Sequence, residues 1–253
     1  MFEKLKELFG GKKEVLPLLE DYGWLAVDIH SHLIPGIDDG STDLETSLRM
    51  LEAYAKLGFK KIITSPHVVS DGYNNSSATI LAGRDKVIAA AKERCIDIKF
   101  DTIAEYYLDE TIVPKIAAKD LLTFGNNYIL IELSYQQKAN NIFDLIYKLQ
   151  VAGYKVVLAH PERYPFYYEK DFTSYQALKD RSVLFQLNIG SLSGKYGKPA
   201  KQIAERLIDD NMIDFLGSDL HRLTQFDNLA DCLQSKHLIK LMMSNKLLNK
   251  NVL

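Results

Sequence analysis

Residues 24–32 read WLAVDIHSH, a short apolar run that ends in two histidines one residue apart. Successive side chains of a strand alternate between its faces, so His30 and His32 point the same way while the backbone stays extended. The same design recurs along the chain. Candidate strands lie at 24–30, 60–65, 97–104, 127–133, 155–160, 183–189 and 213–218, most of them near-continuous apolar runs rich in β-branched residues. Strands buried on both faces of a parallel sheet have that composition. Helical periodicity fills the gaps at 42–57, 77–95, 141–152, 198–211 and 228–246, with a shorter helix at 173–180. The 111–120 segment predicts a short helix interrupted around Pro114. In 42–57, Leu44, Leu48, Leu51 and Ala55 form the apolar face, Thr42 is the expected cap with Glu45 three residues on, and Gly58 ends the helix. Seven strands with intervening helices predict a distorted α/β barrel built from βα units, with an open doubly wound sheet as the rival. Either fold puts its ligand site at the carboxyl ends of the strands.

The chain's 253 residues suit one barrel domain over 23–253, preceded by an N-terminal arm over 1–22. Phe2, Leu5, Leu8 and Phe9 fall at helical spacing in that arm, which reads as amphipathic and lying on its own domain. A net charge of −2 gives no reason to expect nucleic acid or an anionic membrane as a partner. Cys95 and Cys232 are far apart, which argues against a disulfide framework and for a reduced, cytoplasmic setting. No apolar stretch reaches the roughly 18 residues of a membrane span. The first residues, MFEKLKELFGGKKE, lack the apolar core of a secretory signal.

Chemistry-bearing residues stand where the strands run out. They are His30 and His32, His67 in TSPH, Glu105 in IAEYY, Glu132 in LIELS, His160 in LAHPER, and Asp219 and His221 in SDLH. Asp38 and Asp39 follow in a Gly-flanked turn, and spacing does not decide between them. Only His237 lies outside the pattern. A carboxylate inside a run such as YILIEL needs a charged partner or a metal. This many nitrogen and oxygen donors exceed what one zinc takes, roughly four, and suit two or three divalent ions. The donors fit Mn, Fe, Zn or Co. Asp28 alternates with His30 and is a candidate to orient an imidazole. Arg163, three residues after His160, offers a planar fork suited to phosphate. Lys195 and Arg222 are weaker candidates for substrate contact and read first as solvated surface cations. The loop from Val69 to Asn75 is expected to shape substrate access. Of the fourteen tyrosines, most are expected in the core or rim, Tyr106, Tyr107, Tyr164, Tyr167 and Tyr168 among them.

DIHSHLIPGIDDGS, TSPH, AEYY, IELS, AHPERY and GSDLH, in that order, resemble the polymerase-and-histidinol-phosphatase (PHP) superfamily. More closely, they resemble its bacterial branch of manganese-dependent protein-tyrosine phosphatases from capsule and exopolysaccharide operons. The match runs from about Val27 to His221. The resemblance implies a distorted seven-stranded barrel of the PHP type, with up to three metals, manganese among the candidates. It implies the ligands His30, His32, Asp39, His67, Glu105, Glu132, His160, Asp219 and His221, and so prefers Asp39 to Asp38. It also implies Arg163 as the phosphate-binding residue. The implied substrate is phosphotyrosine in protein, on the tail of a bacterial tyrosine kinase that controls polysaccharide synthesis.

Neither cysteine sits in an anion-binding loop, so the expected chemistry is attack of a metal-activated hydroxide on phosphorus without a cysteine intermediate. A metal-bound water, His160 and His221 are the candidates to protonate the leaving phenolate. Two alternatives stay open: a small-molecule phosphomonoesterase such as a histidinol-phosphatase, and a metal-stabilised regulatory module without catalysis.

Overall fold

A computed structural model describes residues 17–138 and 140–253. The expected arm up to residue 16 lies outside the described residues. Leu19 and Tyr22, at its end, are buried in the core. Nine short strands form: β1 (Val27–Asp28), β2 (Lys61–Thr64), β3 (His67–Val68), β4 (Lys99–Thr102), β5 (Glu105–Tyr107), β6 (Tyr128–Glu132), β7 (Lys155–Ala159), β8 (Leu184–Asn188) and β9 (Phe215–Gly217). Every ladder between them is parallel. One sheet runs β1-β2-β4 and the other β3-β5-β6-β7-β8-β9.

The two sheets are parts of one wall. β2 and β3 are a single pass of chain broken at Ser65-Pro66, and β4 and β5 a single pass broken at Ile103-Ala104. Pro66 has no N–H to give to a ladder. The carbonyls of Thr64 and Pro66 still accept from Ile103 and Glu105 at 2.8 and 3.0 Å, which keeps the two passes in register. The first and last passes meet at a parallel bridge between Ser31 and Leu220. There His32 N donates to Leu220 O at 2.9 Å and Asp219 N to His30 O at 2.7 Å. Seven passes therefore close into a distorted barrel, and the open sheet is excluded.

The helices are α1 (Leu44–Lys56), α2 (Ser77–Glu93), α3 (Ile112–Ala118), α4 (Ile142–Val151), α5 (Thr173–Lys179), α6 (Lys198–Asp209), α7 (Phe226–Cys232) and α8 (Lys236–Ser244). Three details depart from expectation. Asp43, not Thr42, caps α1, its carboxylate accepting from Thr46 N at 2.8 Å. A carboxylate at a helix start also meets the positive end of the dipole. Pro114 lies inside the first turn of α3, where its missing N–H costs nothing, so α3 is continuous. The helix expected over 228–246 is two helices, because Ser235 is extended between α7 and α8.

Alternation along the strands sorts the apolar residues. Ile63, Ile103, Leu130, Val157, Ala159 and Phe215 join one buried cluster inside the barrel. Ile62, Ile129, Ile131, Val156, Leu158 and Leu216 join the larger cluster beneath the helices. The C-terminal residues plug the barrel at the end where the strands begin. Val252 packs with Ala26 and Phe124, and Asn249 is fully buried. The Asn249 amide donates to Val27 O at 2.9 Å and Leu216 O at 2.8 Å, and accepts from Leu216 N at 3.0 Å. Asn249→Ala strands these backbone groups without partners. A loss of about 3 kcal/mol in urea unfolding is expected; a loss below about 0.5 kcal/mol would show that the plug is not fastened there.

Candidate metal centre

The inward alternation carries functional side chains to the mouth. Two residues past Ile103 comes Glu105, two past Leu130 comes Glu132, four past Ile63 comes His67, and four past Phe215 comes Asp219. In β8 the inward places hold Gln186 and Asn188, both fully buried. His160 and Asp219 take left-handed backbone at φ +36° and +52°. Such conformations cost a non-glycine residue of order 1–3 kcal/mol and gather at functional sites.

All nine expected ligand residues meet in one cluster. They form four overlapping groups: His32, Asp39, His67 and His221; His30, His32 and Glu105; His30, His160 and Asp219; His67, Glu105 and Glu132. Within each group the donor atoms lie within 4.8 Å of one another. Glu105 is central. Its Oε2 lies 3.2 Å from His30 Nε2, 3.2 Å from His67 Nδ1 and 3.6 Å from His32 Nε2, and its Oε1 lies 3.0 Å from His160 Nε2. Asp219 Oδ1 sits 3.5 Å from a nitrogen of each of His30, His32 and His221. Asp39 Oδ1 lies 3.6 Å from His67 Nε2 and 3.5 Å from His221 Nε2.

The residues fit divalent ions on this structure's own terms. His30 Nε2, His32 Nε2, His67 Nδ1 and Glu105 Oε2 are buried and lack a hydrogen-bond partner among the described residues. Four such atoms around shared space are costly unless a cation satisfies them. The electrostatics agree. Burial opposes a charged His30, yet Glu105 and Asp219 outweigh it and lift its pKa to about 9. Burial would raise the carboxyls of Glu105 and Asp219, but His30 and the surrounding imidazoles hold both well below the usual carboxylate range. Burial and then Glu105 push Glu132 up. Burial drives His160 down to about 4, so its imidazole is neutral. The field of the cage favours positive charge inside it.

Supporting contacts fix the rings. Asp38 Oδ2 is 2.8 Å from His32 Nδ1 and accepts from His67 N at 3.1 Å. Gln186 Oε1 is 2.7 Å from His30 Nδ1. Asp28, expected to orient an imidazole, instead accepts from the backbone N and the hydroxyl of Ser218, so it fixes the strand end beneath the ring. Glu162 is fully buried and raised to about 7 by burial. It accepts from Asn188 N and Ser191 Oγ at 3.0 and 2.6 Å, and Asn188 Nδ2 donates to Asp219 Oδ2 at 2.7 Å. Gly217 lets His30 approach: a Cβ there would lie 2.6 Å from His30 Cβ and 2.7 Å from Gln186 Nε2. Gly217→Ala is therefore expected to displace His30 and weaken metal binding at least about tenfold, the lower end for lost supporting contacts. Calorimetric metal titration checks this, and unchanged affinity would refute the close-packing argument.

Arg163 reaches the cage from the side. Its Nη1 donates to Asp219 Oδ2 at 2.7 Å, and its guanidinium lies 4.9 Å from the Tyr135 ring centre and 4.2 Å from that of Tyr196. A cleft of about 220 Å³ opens here, lined by Asp39, Arg163, Lys195, Tyr196, Asp219 and His221, with Arg222 and Gln225 at its edge. Lys195 and Arg222, read from sequence as surface cations, thus stand on the cleft wall. His221 faces the cleft, whereas His160 is buried at 1% exposure. The Val69–Asn75 loop abuts the cage: Tyr73 stacks on His67 at 5.7 Å, and the Asn75 amide donates to Ile37 O and His67 O. Cys95 is exposed just past α2, and Cys232 is buried with its thiol on Ile189 O, both away from the cleft. His237 sits apart, near Glu205 and Asp209.

Residues 26–251 match the family described as "Capsular polysaccharide synthesis, CpsB/CapC". The chain belongs to the CpsB/CapC family. Among CpsB/CapC relatives, the tyrosine-protein phosphatase YwqE of Bacillus subtilis is 31% identical over 198 residues, 78% of each chain. The tyrosine-protein phosphatase CpsB of Streptococcus agalactiae is 26% identical over 203 residues, 78% of this chain and 83% of its own. A chain from the crystal structures of YwqE from B. subtilis and CpsB from Streptococcus pneumoniae, described as unique metal-dependent tyrosine phosphatases, superposes with a TM-score of 0.77. It shares 28% identity and covers 90% of this chain and 95% of its own. A histidinol phosphate phosphatase from Lactococcus lactis shares the fold at a TM-score of 0.51 and 13% identity, over 83% and 92% of the two chains.

Proposed function

We propose that this protein is a metal-dependent protein-tyrosine phosphatase that releases inorganic phosphate from phosphotyrosine in a protein. The observation that carries the reading is the convergence of His30, His32, Asp39, His67, Glu105, Glu132, His160, Asp219 and His221 on overlapping metal-sized spaces beside Arg163. Membership in CpsB/CapC and the tyrosine-phosphatase activity for which its relatives are named support it. Those nine residues are the proposed ligands of two or three divalent ions, with manganese the favoured metal. Bound there, the ions would lower the pKa of water to near neutrality and offset charge on the phosphoryl oxygens.

The chain's own residues do the rest. Asp38 and Gln186 hold the His32 and His30 rings by their Nδ1 atoms, leaving Nε2 of each to the cage. Arg163 spends Nη1 on Asp219, and its remaining N–H groups face the cleft for the phosphoryl oxygens. Of the two imidazoles, His221 lines the cleft and His160 does not, so His221 is the one placed beside the tyrosine oxygen; as a ligand with Nδ1 on Asp219 O it would orient that oxygen, and water would supply the proton. No thiol lines the cleft, which favours direct transfer of the phosphoryl group to water over a cysteine-bound intermediate. The proposed protein substrate is the tail of a bacterial tyrosine kinase governing polysaccharide synthesis, and the proposed setting is the cytoplasm. Among the described residues no helix is long and apolar enough to cross a membrane.

The test is phosphate release from a phosphotyrosyl peptide and from histidinol phosphate by metal-loaded protein, repeated with chelator. Chelator-sensitive release favouring the peptide is expected. Faster turnover of histidinol phosphate would replace this reading with a small-molecule phosphatase. No turnover from protein with metal bound would indicate a regulatory module.

A further inference from the structure

Lys195 is a half-buried cation with no acidic partner among the described residues. Its stem lies close over Gly190, where a Cβ would come within 3.2 Å of Lys195 Cδ. Its ammonium sits 4.8 Å from the Tyr196 ring centre, the same ring that carries the Arg163 guanidinium at 4.2 Å. Burial, and then the charge of Arg163, lower the Lys195 pKa, with Asp219 opposing. Arg222 stands exposed on the same cleft. Among the described residues neither Lys195 nor Arg222 has a carboxylate within 4.0 Å, whereas Arg163 is paired with Asp219 at 2.7 Å. One aromatic ring therefore supports two cations, and a third lies at the cleft's edge. An unpaired, partly desolvated ammonium beside a guanidinium is unfavourable until an anion arrives.

We propose that Lys195 and Arg222 form an acidic-residue subsite that reads a carboxylate side chain flanking the phosphotyrosine of a peptide substrate. This rests on the phosphatase reading above and specifies its substrate class. Arg163 is the cation held against the cage and takes the phosphoryl oxygens. Lys195 and Arg222 are not ion-paired to that cage among the described residues, and they line the same cleft as Arg163. Tyr196 fixes the spacing between the phosphoryl-binding guanidinium and the Lys195 ammonium. A peptide with Glu next to phosphotyrosine presents two anions to this wall, and one with Gln presents a single anion.

The experiment compares two phosphotyrosyl peptides, identical except for Glu or Gln beside the phosphotyrosine, and para-nitrophenyl phosphate as a third substrate. Wild-type protein and the Lys195→Gln/Arg222→Gln double variant are both metal-loaded. Wild type is expected to favour the Glu peptide about fivefold in kcat/KM, roughly one charge pair's worth at low salt. That preference should shrink as salt rises. In the double variant the Glu-over-Gln ratio should fall to about one, chiefly through KM for the Glu peptide. Loss of all three substrates by the same factor would overturn the proposal, because both cations would then serve the phosphoryl group. Equal use of the two peptides by wild type would also overturn it. Metal-loaded wild type that hydrolyses none of the three substrates would overturn the phosphatase reading and this subsite together.

Discussion

Asp219→Ala should reduce metal-dependent phosphotyrosine hydrolysis by at least about 10⁴-fold, roughly 5 kcal/mol of lost transition-state stabilisation. Two contacts of one carboxylate, and the backbone that carries it, underlie this size. Asp219 Oδ1 lies 3.5 Å from His30, His32 and His221, so its loss removes negative charge from the heart of the cage. Its Oδ2 accepts from Arg163 and Asn188, so the guanidinium proposed to bind phosphate loses its anchor. Its left-handed backbone sits at the barrel's closing strand. Metal content by mass spectrometry should fall together with kcat/KM, and circular dichroism should show the barrel retained. Asp219→Asn keeps the shape while removing the charge, and should lose nearly as much activity. Activity within tenfold of wild type in Asp219→Asn would mean that the charge is not needed, and the cage as described would fail.

Arg163→Ala should cost about 10²- to 10³-fold in kcat/KM while the metal stays bound. The guanidinium is held by Asp219 on one side and by Tyr135 and Tyr196 on its faces, so it is already oriented before substrate arrives. Arg163→Lys should recover little, because an ammonium cannot hold Asp219 and present a second parallel donor at the same time. Metal analysis beside steady-state kinetics separates this loss from that of Asp219→Ala. Equal metal depletion in Arg163→Ala would assign the arginine to the cage and not to phosphate. Full activity would remove it from the reaction.

The sequence was most readable where local chemistry and strand periodicity coincide. His30, His67, Glu105, Glu132 and Asp219 each stand at or just past the end of an apolar run in the sequence, and the passes of a parallel barrel bring such ends together. The barrel's closure was less readable, because it rests on one bridge between Ser31 and Leu220, nearly the whole chain apart. Gln186 and Asn188 went unnoticed although their signal was present: two polar residues at alternate places in VLFQLNI mark the inward face, by the reasoning that singled out Glu132. Asp38 and Asp39 could not be told apart by spacing, since one residue turns toward the back of His32 and the next toward His67 and His221. Tyr135 and Tyr196 were invisible because stacking on Arg163 depends on loops whose course no periodicity encodes. The break in 228–246 was missed because apolar spacing runs on across Ser235 while the backbone does not.

The seam at Ser31 and Leu220 also sets when this cage can first exist. His30 and His32 leave the ribosome early, and Asp219 and His221 come from the far end of the chain. A nascent chain holds only part of the donor set until its last strand is made, so an ion captured early finds an open, weakly binding fragment. Once the seam closes, an ion held by His30 and Asp219, or by His32 and His221, would link the first pass of the barrel to the last and resist reopening. Full metal binding thereby waits on the last strand of the barrel, and ion removal should loosen first the junction between Ser31 and Leu220.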